Sequence, residues 1–426
     1  MKRLIDALRS RFSEGRFARN ALIMMVGTGL AQALSIAVAP ILTRLYSPSD
    51  FGVLALYTSV SSLIGVLATG RYDTAIMLPE KDEDAMSLVA VSLSITIAVG
   101  LASLGLVICL NQPIARWLGS EEVAPWLYLI PISALVGGLY QAMYSWSIRR
   151  GQFKRVSAGK LSGASVGAVT TVGTGLIQPS VGGLVLGGAA GQAVTAGILA
   201  WQLRGEDWRQ MTHLAGRTMR SAARRYHRFP LYSLPADFVN AAAQQTPVML
   251  LSNFFGTTIV GFYSITQRVL GLPLTLIASS ITDVFRQRAS ADFARCGNCR
   301  GIYVKTFRSL VGFSLIPFLV FVFSAPWLFS VIFGDHWRVA GEYAQILSPL
   351  FLLRLVVSPL SYVLYIAEKQ NLDLVGNLAL FVITSISVVV GGIRHDVKLS
   401  ITLFTLSYSF IYIAYLILSY HYSVRR

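Results

Sequence analysis

Long apolar segments separated by short polar stretches make up most of the chain. Crossing a hydrocarbon core of about 30 Å takes roughly 20 apolar residues in a helix. Twelve segments of this kind follow one another, at residues 20–43, 51–69, 86–110, 124–147, 158–177, 182–203, 232–255, 258–285, 305–332, 342–366, 374–392 and 399–420. Their apolar residues are continuous and do not alternate with polar ones, which favours helices over the strands of a membrane barrel. The pattern predicts an all-α integral membrane protein with about twelve transmembrane helices.

The basic residues predict how these helices are oriented. If both termini lie on one side of the membrane, 29 of the 36 Lys and Arg residues lie on that side, five lie on the other, and Arg268 and Arg354 remain inside segments. Loops rich in Lys and Arg face the cytoplasm. The count therefore predicts a multi-pass protein with both termini in the cytoplasm.

Composition supports the same class. Charged residues make up 13% and hydrophobic residues 54% of the chain, whereas soluble domains carry about 25% charged residues. The net charge of +16 does not indicate a nucleic-acid partner, because the basic residues stand between apolar segments and form no continuous basic face. Three cysteines are too few for disulfide bonds to stabilise a chain of 426 residues, so a secreted disulfide-rich protein is excluded.

The polar stretches divide the chain into four predicted parts. Residues 1–19 are expected to form an amphipathic segment on the membrane surface rather than a cleaved signal, because apolar residues recur on one helical face among arginines. The longest polar connection, 204–228, is predicted as a cytoplasmic linker between two six-helix bundles, 20–203 and 229–426. Six helices return the chain to its starting side, so the bundles would be parallel repeats.

A weak internal similarity supports two repeats. Residues 50–73 can be aligned with residues 259–283, which places Gly52 on Gly261. Each stretch begins the second helix of its half and ends in charged residues. Chance similarity between two helices rich in Leu and Ser is the alternative explanation.

Ionisable residues inside the predicted helices are candidates for a binding site, because they are costly in a membrane. Arg268 and Arg354 lie near the middle of their segments, and Asp237 shares a helical face with Asn240 and Gln244. An internal ion pair of Asp237 with either arginine is one interpretation. The surplus of positive charge favours the other, an anionic ligand held by guanidinium groups.

The first half offers further candidates. Arg44 and Asp50 bracket an outer turn, and Arg71 and Asp73 lie at the inner end of the second segment. Interfacial placement with local pairing is the alternative for these four residues. Two polar-aromatic stripes, Tyr140 with Gln141 and Tyr144, and Tyr408 with Tyr412 and Tyr415, are able to stack on sugar rings or to serve helix packing.

No catalytic or nucleotide-binding motif indicates an enzyme. The sequence contains neither GxxxxGK[ST] nor HExxH, so no ATP-driven or metalloprotease chemistry is predicted. Cys296 and Cys299 form a CxxC pair, for which His213 and His227 are the nearest further ligands. We expect reduced thiols without zinc, and no cofactor.

Two stretches resemble a known family of transporters. Residues 39–85, APILTRLYSPSDFGVLALYTSVSSLIGVLATGRYDTAIMLPEKDEDA, resemble the N-terminal signature of the bacterial O-antigen and capsule oligosaccharide flippases. Residues 261–290, GFYSITQRVLGLPLTLIASSITDVFRQRAS, resemble the matching element in the second half. These polysaccharide transporters belong to the multidrug/oligosaccharidyl-lipid/polysaccharide exporter superfamily.

The resemblance implies a V-shaped pair of six-helix bundles around a central cavity, working by alternating access in the bacterial inner membrane. The implied cargo is an undecaprenyl-diphosphate-linked oligosaccharide, an O-antigen or exopolysaccharide repeat unit, carried from the inner to the outer leaflet. By this resemblance the charged cavity positions are Arg44, Asp50, Arg71, Asp73 and Arg268, while Arg354 is added from its depth. Membrane lipids, and the polysaccharide polymerase with its chain-length machinery, are the implied partners.

Other functions remain open at this point. A cation-coupled multidrug exporter of the same fold is expected to carry more acidic residues in its cavity. A membrane polysaccharide polymerase is expected to have a large outer loop, and a non-transporting scaffold has no need of arginines at mid-membrane depth. Lipid II flippases of the superfamily usually have two more helices than the twelve predicted here, which argues against a peptidoglycan precursor as cargo.

Overall fold

Helices form nearly all of the described structure. The computed structural model describes residues 2–201, 216–274, 279–367 and 369–424, with side chains from residue 23 onwards except at 216, 217, 273, 279, 280, 283, 370, 371 and 374. The long helices are α1 (Lys2–Leu45), α2 (Pro48–Leu67), α3 (Asp82–Trp117), α4 (Ile130–Arg149), α5 (Phe153–Ile177), α6 (Val181–Ala200), α7 (Leu234–Phe255), α8 (Thr257–Pro273), α9 (Ser279–Cys296), α10 (Arg300–Phe333), α11 (Arg338–Leu360), α12 (Gln370–Ile393) and α13 (Val397–His421). Shorter helices lie at Tyr72–Ala75, Glu121–Val123, Ala124–Leu127, Gly216–Arg225, Phe229–Ser233, Asp335–Trp337 and Val363–Ile366.

Each predicted apolar segment lies on one or two of these helices, which confirms the all-α membrane architecture. Eight of the described helices are long and apolar enough to cross a membrane by themselves, and the pair Glu121–Leu127 and Ile130–Arg149 meets the same criterion together, with a bend of 52°. The other predicted segments fall on α5, on α7, and on α8 with the start of α9. These less apolar helices contain the ionisable residues Lys160, Asp237 and Arg268.

The chain divides into two compact units. The first contains Met1–Tyr46, Tyr57–Arg116 and Glu121–Ala242, and the second contains Ser47–Leu56, Trp117–Ser120 and Ala243–Arg426. Helices α2 and α7 therefore contribute residues to both units, and α3 contributes its last residue, Trp117, to the second. The predicted parts 1–19, 20–203, 204–228 and 229–426 follow the polar stretches instead and stay a prediction, and residues 202–215 of the linker lie outside the described residues.

In the first unit, glycines bring α5 and α6 close together. A Cβ atom on Gly163 would stand 2.5 Å from the carbonyl oxygen of Gly191, and one on Gly187 would stand 3.1 Å from the carbonyl oxygen of Gly167. Small residues at a spacing of four let helix backbones approach closely in a membrane. Helices α5 and α6 are therefore a tightly packed pair with little room for adjustment.

In the second unit, the first turns of α2 and α8 cross at two glycines. A Cβ atom on Gly52 would stand 1.8 Å from the carbonyl oxygen of Thr257, and one on Gly261 would stand 1.8 Å from that of Pro48. Thr257 precedes Gly261 by four residues, as Pro48 precedes Gly52, so the contact is reciprocal. The hydroxyl oxygens of Ser49 and Thr257, 2.7 Å apart, hydrogen-bond across the crossing.

Large apolar side chains point outward along the long helices. Val169, Phe323 and Phe410 keep 73%, 81% and 69% of their surface exposed. Such surfaces are unfavourable in water and are covered by lipid in a membrane protein. The burial pattern thus agrees with the lengths of the helices.

Candidate functional site

A sharp turn after α2 carries Arg71 and Asp73, two of the predicted site residues. Helix α2 ends at Leu67, and Gly70 and Arg71 follow with φ angles of 58° and 62°, in the left-handed region. For a residue other than glycine this conformation costs about 1–2 kcal/mol. Among the described residues other than glycine, only His395 also has a positive φ angle. Strained backbone persists where surrounding contacts fix it, and it occurs often at functional sites.

Hydrogen bonds on both sides of Arg71 fix this turn. The Thr69 hydroxyl donates to the Asp73 carboxylate over 2.6 Å, and Asp73 is only 7% exposed. The Tyr72 hydroxyl donates to the carbonyl oxygen of Ala223 over 3.0 Å. Asp73 therefore takes part in the internal bonding of the turn, and its contact with a ligand stays a prediction.

Arg71 forms an ion pair with Asp237 inside the first unit. Arg71 Nη2 lies 2.6 Å from Asp237 Oδ2, and the two side chains are 27% and 36% exposed. Asp237 stands near the start of α7, which directly continues the helical stretch Phe229–Ser233. The interpretation that paired Asp237 with Arg268 or Arg354 is therefore wrong.

The guanidinium of Arg71 retains an unused donor. Arg71 Nε is buried and has no hydrogen-bond partner among the described residues. Buried donors are nearly always paired with protein, water or ligand. A partly exposed guanidinium with one carboxylate partner and a spare donor is suited to bind an anionic oxygen.

Arg268 lies within α8, in the second unit. It follows Thr257, the first residue of the helix, by about 16 Å along the axis at 1.5 Å per residue. Its side chain is exposed, although Ile265, Thr266 and Leu270 beside it are buried. Within the described part of the chain, Arg268 has neither a hydrogen bond nor an ion pair. The contact of Arg268 with a ligand stays a prediction.

Arg354 of α11 lies among tyrosines of the second unit. Its side chain is half-buried and within electrostatic range of the hydroxyls of Tyr263 on α8 and Tyr412 on α13. Tyr408 stacks on Tyr412, with 5.1 Å between the ring centroids. The predicted stripe on α13 thus lies beside an arginine, whereas its last member, Tyr415, donates its hydroxyl to a backbone carbonyl over 2.8 Å.

Asp50 is used by the fold as a helix cap. Its carboxylate accepts from the N–H of Ser47 over 2.9 Å and from the Ser47 hydroxyl over 2.7 Å, and the Asp50 N–H lies 3.2 Å from that hydroxyl oxygen. This reciprocal arrangement is a capping box at the start of α2. Arg44 is exposed in the last turn of α1. Contacts of Arg44 and Asp50 with a ligand stay predictions.

The polar face of α7 forms as the sequence predicts. Asp237, Asn240 and Gln244 all lie within the helix at spacings of three and four residues, which places them on one side. Asn240 and Gln244 are exposed. Their role in binding stays a prediction.

Sequence analysis did not identify Tyr263 or Gln267. Tyr263 is 3% exposed, and its hydroxyl oxygen accepts a hydrogen bond of 2.5 Å from Gln267 Nε2. Their spacing of four residues in an apolar helix is a signal that a search for polar pairs would find. No spacing in the sequence indicates that Arg354 lies near Tyr263, because the two residues belong to different helices, α11 and α8.

A serine-hydrolase pattern also occurs in the chain. Residues 163–167 read GASVG, which matches G-x-S-x-G. The nucleophile of those enzymes sits on a strained strand-to-helix turn. Here the residues lie inside α5, and the Ser165 hydroxyl donates to the carbonyl oxygen of Leu161 over 2.9 Å. The arrangement is not a nucleophile elbow.

The CxxC segment packs against the C-terminal end of the described chain. Cys296 is exposed and Cys299 is buried, and the Cys299 N–H donates to the Ser423 carbonyl oxygen over 2.8 Å. The described residues contain no group of three His, Cys, Asp or Glu side chains that could hold a metal ion. His213 lies outside them. The predicted lack of zinc stays a prediction.

Sequence comparisons connect the chain to polysaccharide biosynthesis. A family described as "Polysaccharide biosynthesis protein" matches residues 41–342. The succinoglycan biosynthesis transport protein ExoT of Rhizobium meliloti (strain 1021) is 24% identical over 324 residues, which cover 74% of this chain and 62% of ExoT. The teichuronic acid biosynthesis protein TuaB of Bacillus subtilis (strain 168) is 24% identical over 178 residues, 41% of this chain and 36% of TuaB. The chain thus spans less than two thirds of the length of each of these curated relatives.

Solved structures of membrane transporters share the fold. An inward-facing multidrug resistance MATE family transporter of the MOP superfamily aligns with a TM-score of 0.72 and 12% identity, over 93% of this chain and 97% of its own. The lipid II flippase MurJ in an inward closed conformation aligns with a TM-score of 0.70 and 12% identity, over 93% of this chain and 87% of its own. At this level of identity the similarity establishes the fold.

Proposed function

Because the chain belongs to the polysaccharide biosynthesis protein family, we propose that it is a flippase for an undecaprenyl-diphosphate-linked oligosaccharide. The cargo is an O-antigen or exopolysaccharide repeat unit, which crosses from the inner to the outer leaflet of the bacterial inner membrane. The process is transport by alternating access, without bond-making chemistry.

The observation that carries this proposal is the presence of arginines without carboxylate partners. Arg268 and Arg354 take part in none of the ion pairs of the described residues, and Arg71 shares its charge with one carboxylate while keeping a spare donor. A diphosphate drawn unpaired through hydrocarbon carries a prohibitive desolvation cost. Guanidinium groups offset that cost, because their paired donors match phosphate oxygens.

The oligosaccharide needs less specific contacts than the diphosphate. Tyr408 and Tyr412, stacked beside Arg354, offer flat apolar rings with polar ends to sugar rings. We therefore expect the diphosphate to be required and the distal sugars to be exchangeable.

A cation-coupled multidrug exporter is the second candidate, favoured by the structural similarity to a MATE family transporter. Binding of a cation calls for carboxylates that are not already engaged. Asp237 is paired with Arg71, and Asp73 accepts from Thr69. The charges of these helices favour an anionic cargo over a cationic one.

The proposal includes the location and the next step of the pathway. Both termini lie in the cytoplasm, which the distribution of Lys and Arg supports. The flipped product passes to a polysaccharide polymerase and its chain-length machinery.

Transport by the purified chain in proteoliposomes tests the proposal. We expect diphosphate-linked glycans to reach the opposite leaflet at a rate that changes little when their outer sugars are altered, and monophosphate-linked glycans to move far more slowly. Equal handling of both carriers together with rejection of altered sugars would reverse the assignment, because specificity would then lie in the aromatic side chains. Export of a cationic drug without any glycan movement would favour the multidrug exporter.

Substitution of Arg268 gives the sharpest test of the basic site. Arg268→Ala is expected to abolish flipping at unchanged protein level, and Arg268→Lys to retain part of it, because a single ammonium replaces a two-pronged donor. Arg394→Ala, at an exposed arginine that follows α12, is the matched control and is expected to be active. Wild-type surface polysaccharide in cells that carry Arg268→Ala would contradict the role of this residue.

A further inference from the structure

A cavity lies within the first unit, among α1, α4, α5 and α6. Its volume is about 300 Å³, at the lower end of the range for small-molecule sites. The polar side chains of its lining include Thr28, Gln32, Ser35, Tyr140, Lys160 and Gln192. The cavity is distinct from the turn at Arg71 and from the arginines of the second unit.

Lys160 supplies the only charge among the residues that line this cavity. It lies in α5, about 10 Å from the start of the helix at Phe153, and is half-buried. Its Nζ atom lies 3.4 Å from Thr28 Oγ1 and 5.3 Å from the centroid of the Tyr144 ring. The ion pairs of the described residues do not include Lys160. A partly buried ammonium with neutral partners alone is incompletely compensated.

The other walls are rich in hydrogen-bonding groups that suit hydroxyls. Gln32 and Gln192 each bring both an amide donor and an amide acceptor, and Thr28 and Ser35 bring hydroxyls. Tyr140 adds an aromatic ring with a polar end, tilted against Tyr144 at 5.8 Å between centroids. A ligand with several hydroxyls and one negative charge would match the hydrogen-bonding groups of the lining and the ammonium of Lys160. An apolar or cationic ligand would not.

The packing of α5 and α6 holds two walls of the cavity in place. Lys160 and Gln192 stand close to Gly163 and Gly191, where the two backbones meet. Because these glycines leave no space for movement toward each other, the backbone positions of Lys160 and Gln192 are held by the packing of the two helices.

We propose that this cavity binds an anionic, polyhydroxylated group, with Lys160 pairing its charge and the two glutamines its hydroxyls. Two sources carry this chemistry in a bacterial membrane: an acidic sugar of the transported glycan, and the glycerol phosphate headgroup of an anionic lipid. The first source rests on the proposed flippase function, and the second does not.

Binding of soluble probes to the purified full chain tests the site directly. Saturation-transfer NMR or calorimetry with glucuronate, glucose and glycerol 1-phosphate separates the charge from the hydroxyls and the sugar from the headgroup. We expect at least one of the two anions to bind, and glucose to bind at least about tenfold more weakly, since a hydrogen bond to a charged group is among the stronger ones. Preference for glucuronate assigns the sugar source, and preference for glycerol 1-phosphate assigns the headgroup source. No binding of either anion, or equal binding of glucose and both anions, overturns the proposal.

Variants of the lining show whether the signal comes from this cavity. Lys160→Gln is expected to lower the affinity for the anion at least about tenfold, and Lys160→Arg to keep most of it. Lys154→Gln is the matched control, because Lys154 is exposed on the same helix and does not line the cavity. Gln192→Leu, a second variant, is expected to weaken binding without removing the charge. Unchanged anion binding in a folded Lys160→Gln protein overturns the assignment to this site.

The transport assay distinguishes this inference from the proposed function. If the protein flips neutral and acidic glycans, the sugar source predicts that Lys160→Gln slows the acidic cargo selectively. Loss of selectivity without loss of flipping supports the site as a sugar site, and equal rates for both cargoes in wild type and variant refute that source. If wild-type protein flips no glycan, the proposed function fails, while the probe measurements still decide whether the cavity binds an anion.

Discussion

Arg71 combines a strained backbone with a charge that the fold only partly neutralises. Its φ angle of 62° is held by the contacts of Tyr72 and Asp73 on one side and by the ion pair with Asp237 on the other. A glycine at this position would adopt the same backbone without cost. The presence of arginine instead indicates that its side chain is needed there.

The strain at Arg71 leads to a measurable difference between two substitutions. Arg71→Ala and Arg71→Gly both remove the guanidinium, but only glycine removes the left-handed penalty, so we expect the glycine variant to be more stable by about 1 kcal/mol. Thermal unfolding of both purified variants in the same detergent measures the difference. Equal unfolding temperatures would show that the turn stores no strain at this residue.

The two cysteines of the CxxC segment differ in reactivity. Burial raises the pKa of the Cys299 thiol to about 11, whereas Cys296 is exposed. The thiolate is the reactive form, so Cys299 reacts only as the pH rises toward that value, and at neutral pH its thiolate population is roughly a hundredfold below that of a thiol with a pKa near 9. We expect maleimide to label Cys296 at pH 7 and Cys299 only after unfolding.

Replacement of both cysteines tests whether the segment has a chemical role. The double variant Cys296→Ser with Cys299→Ser is expected to insert and to function normally, because a serine hydroxyl also reaches the carbonyl oxygen of Ser423 that the Cys299 thiol approaches to 3.3 Å. Measurement of surface polysaccharide and of bound zinc checks this expectation. Lost export or a metal content of one zinc per chain would show that the thiols are functional.

At the scale of elements, the segments predicted from apolar runs correspond to helices, yet their ends differ where polar residues enter. The predicted segment 232–255 starts two residues before α7, and the segment 258–285 reaches from α8 into α9. Runs of apolar residues locate a helix well but define its ends poorly, because hydrogen bonds to caps and turns decide where the helical dihedrals stop.

The crossing of α2 and α8 gives a matched set of glycine substitutions. Gly52→Ala and Gly261→Ala each place a methyl group on a carbonyl oxygen of the facing helix, so we expect loss of at least about 2 kcal/mol of stability or failure to accumulate. Gly65→Ala on α2 and Gly271→Ala on α8 are the controls, since each has open space at its Cβ position. In those helices alanine is favoured over glycine by about 1 kcal/mol. Folding of all four variants alike would show that the crossing tolerates separation of the helices.

At the scale of the whole molecule, the distribution of charge predicts which side each loop occupies. The short helix Gly216–Arg225, with its basic last turn, belongs to the predicted cytoplasmic side, and Ser180, between α5 and α6, belongs to the predicted outer side. Both Ser221 and Ser180 are exposed. They are therefore suited to report topology.

Cysteine labelling checks this topology. In a variant whose native cysteines are serines, we expect Ser180→Cys to react with a membrane-impermeant maleimide in intact cells, and Ser221→Cys to react only after the inner membrane is opened. The opposite pattern would invert the protein, and labelling of both from outside would require a different number of spans between them.

The sequence by itself determined the class of the protein, the positions of its helices and the surplus of positive charge, because apolar runs and residue charge are local properties of a chain. It also predicted that Asp237, Asn240 and Gln244 share one face, which follows from helical periodicity alone.

Only the tertiary structure determined which charged residues contact each other. Asp237 pairs with Arg71 across 166 positions of sequence, and Asp50, a predicted cavity residue, caps its own helix. In the sequence Lys160 is one of many basic residues on the predicted inner side. In the structure it lines a cavity because residues of α1, α4 and α6 surround it. Such contacts depend on helix crossings set by glycines far apart in the chain, and no periodicity within one helix encodes the partner that packing brings to it.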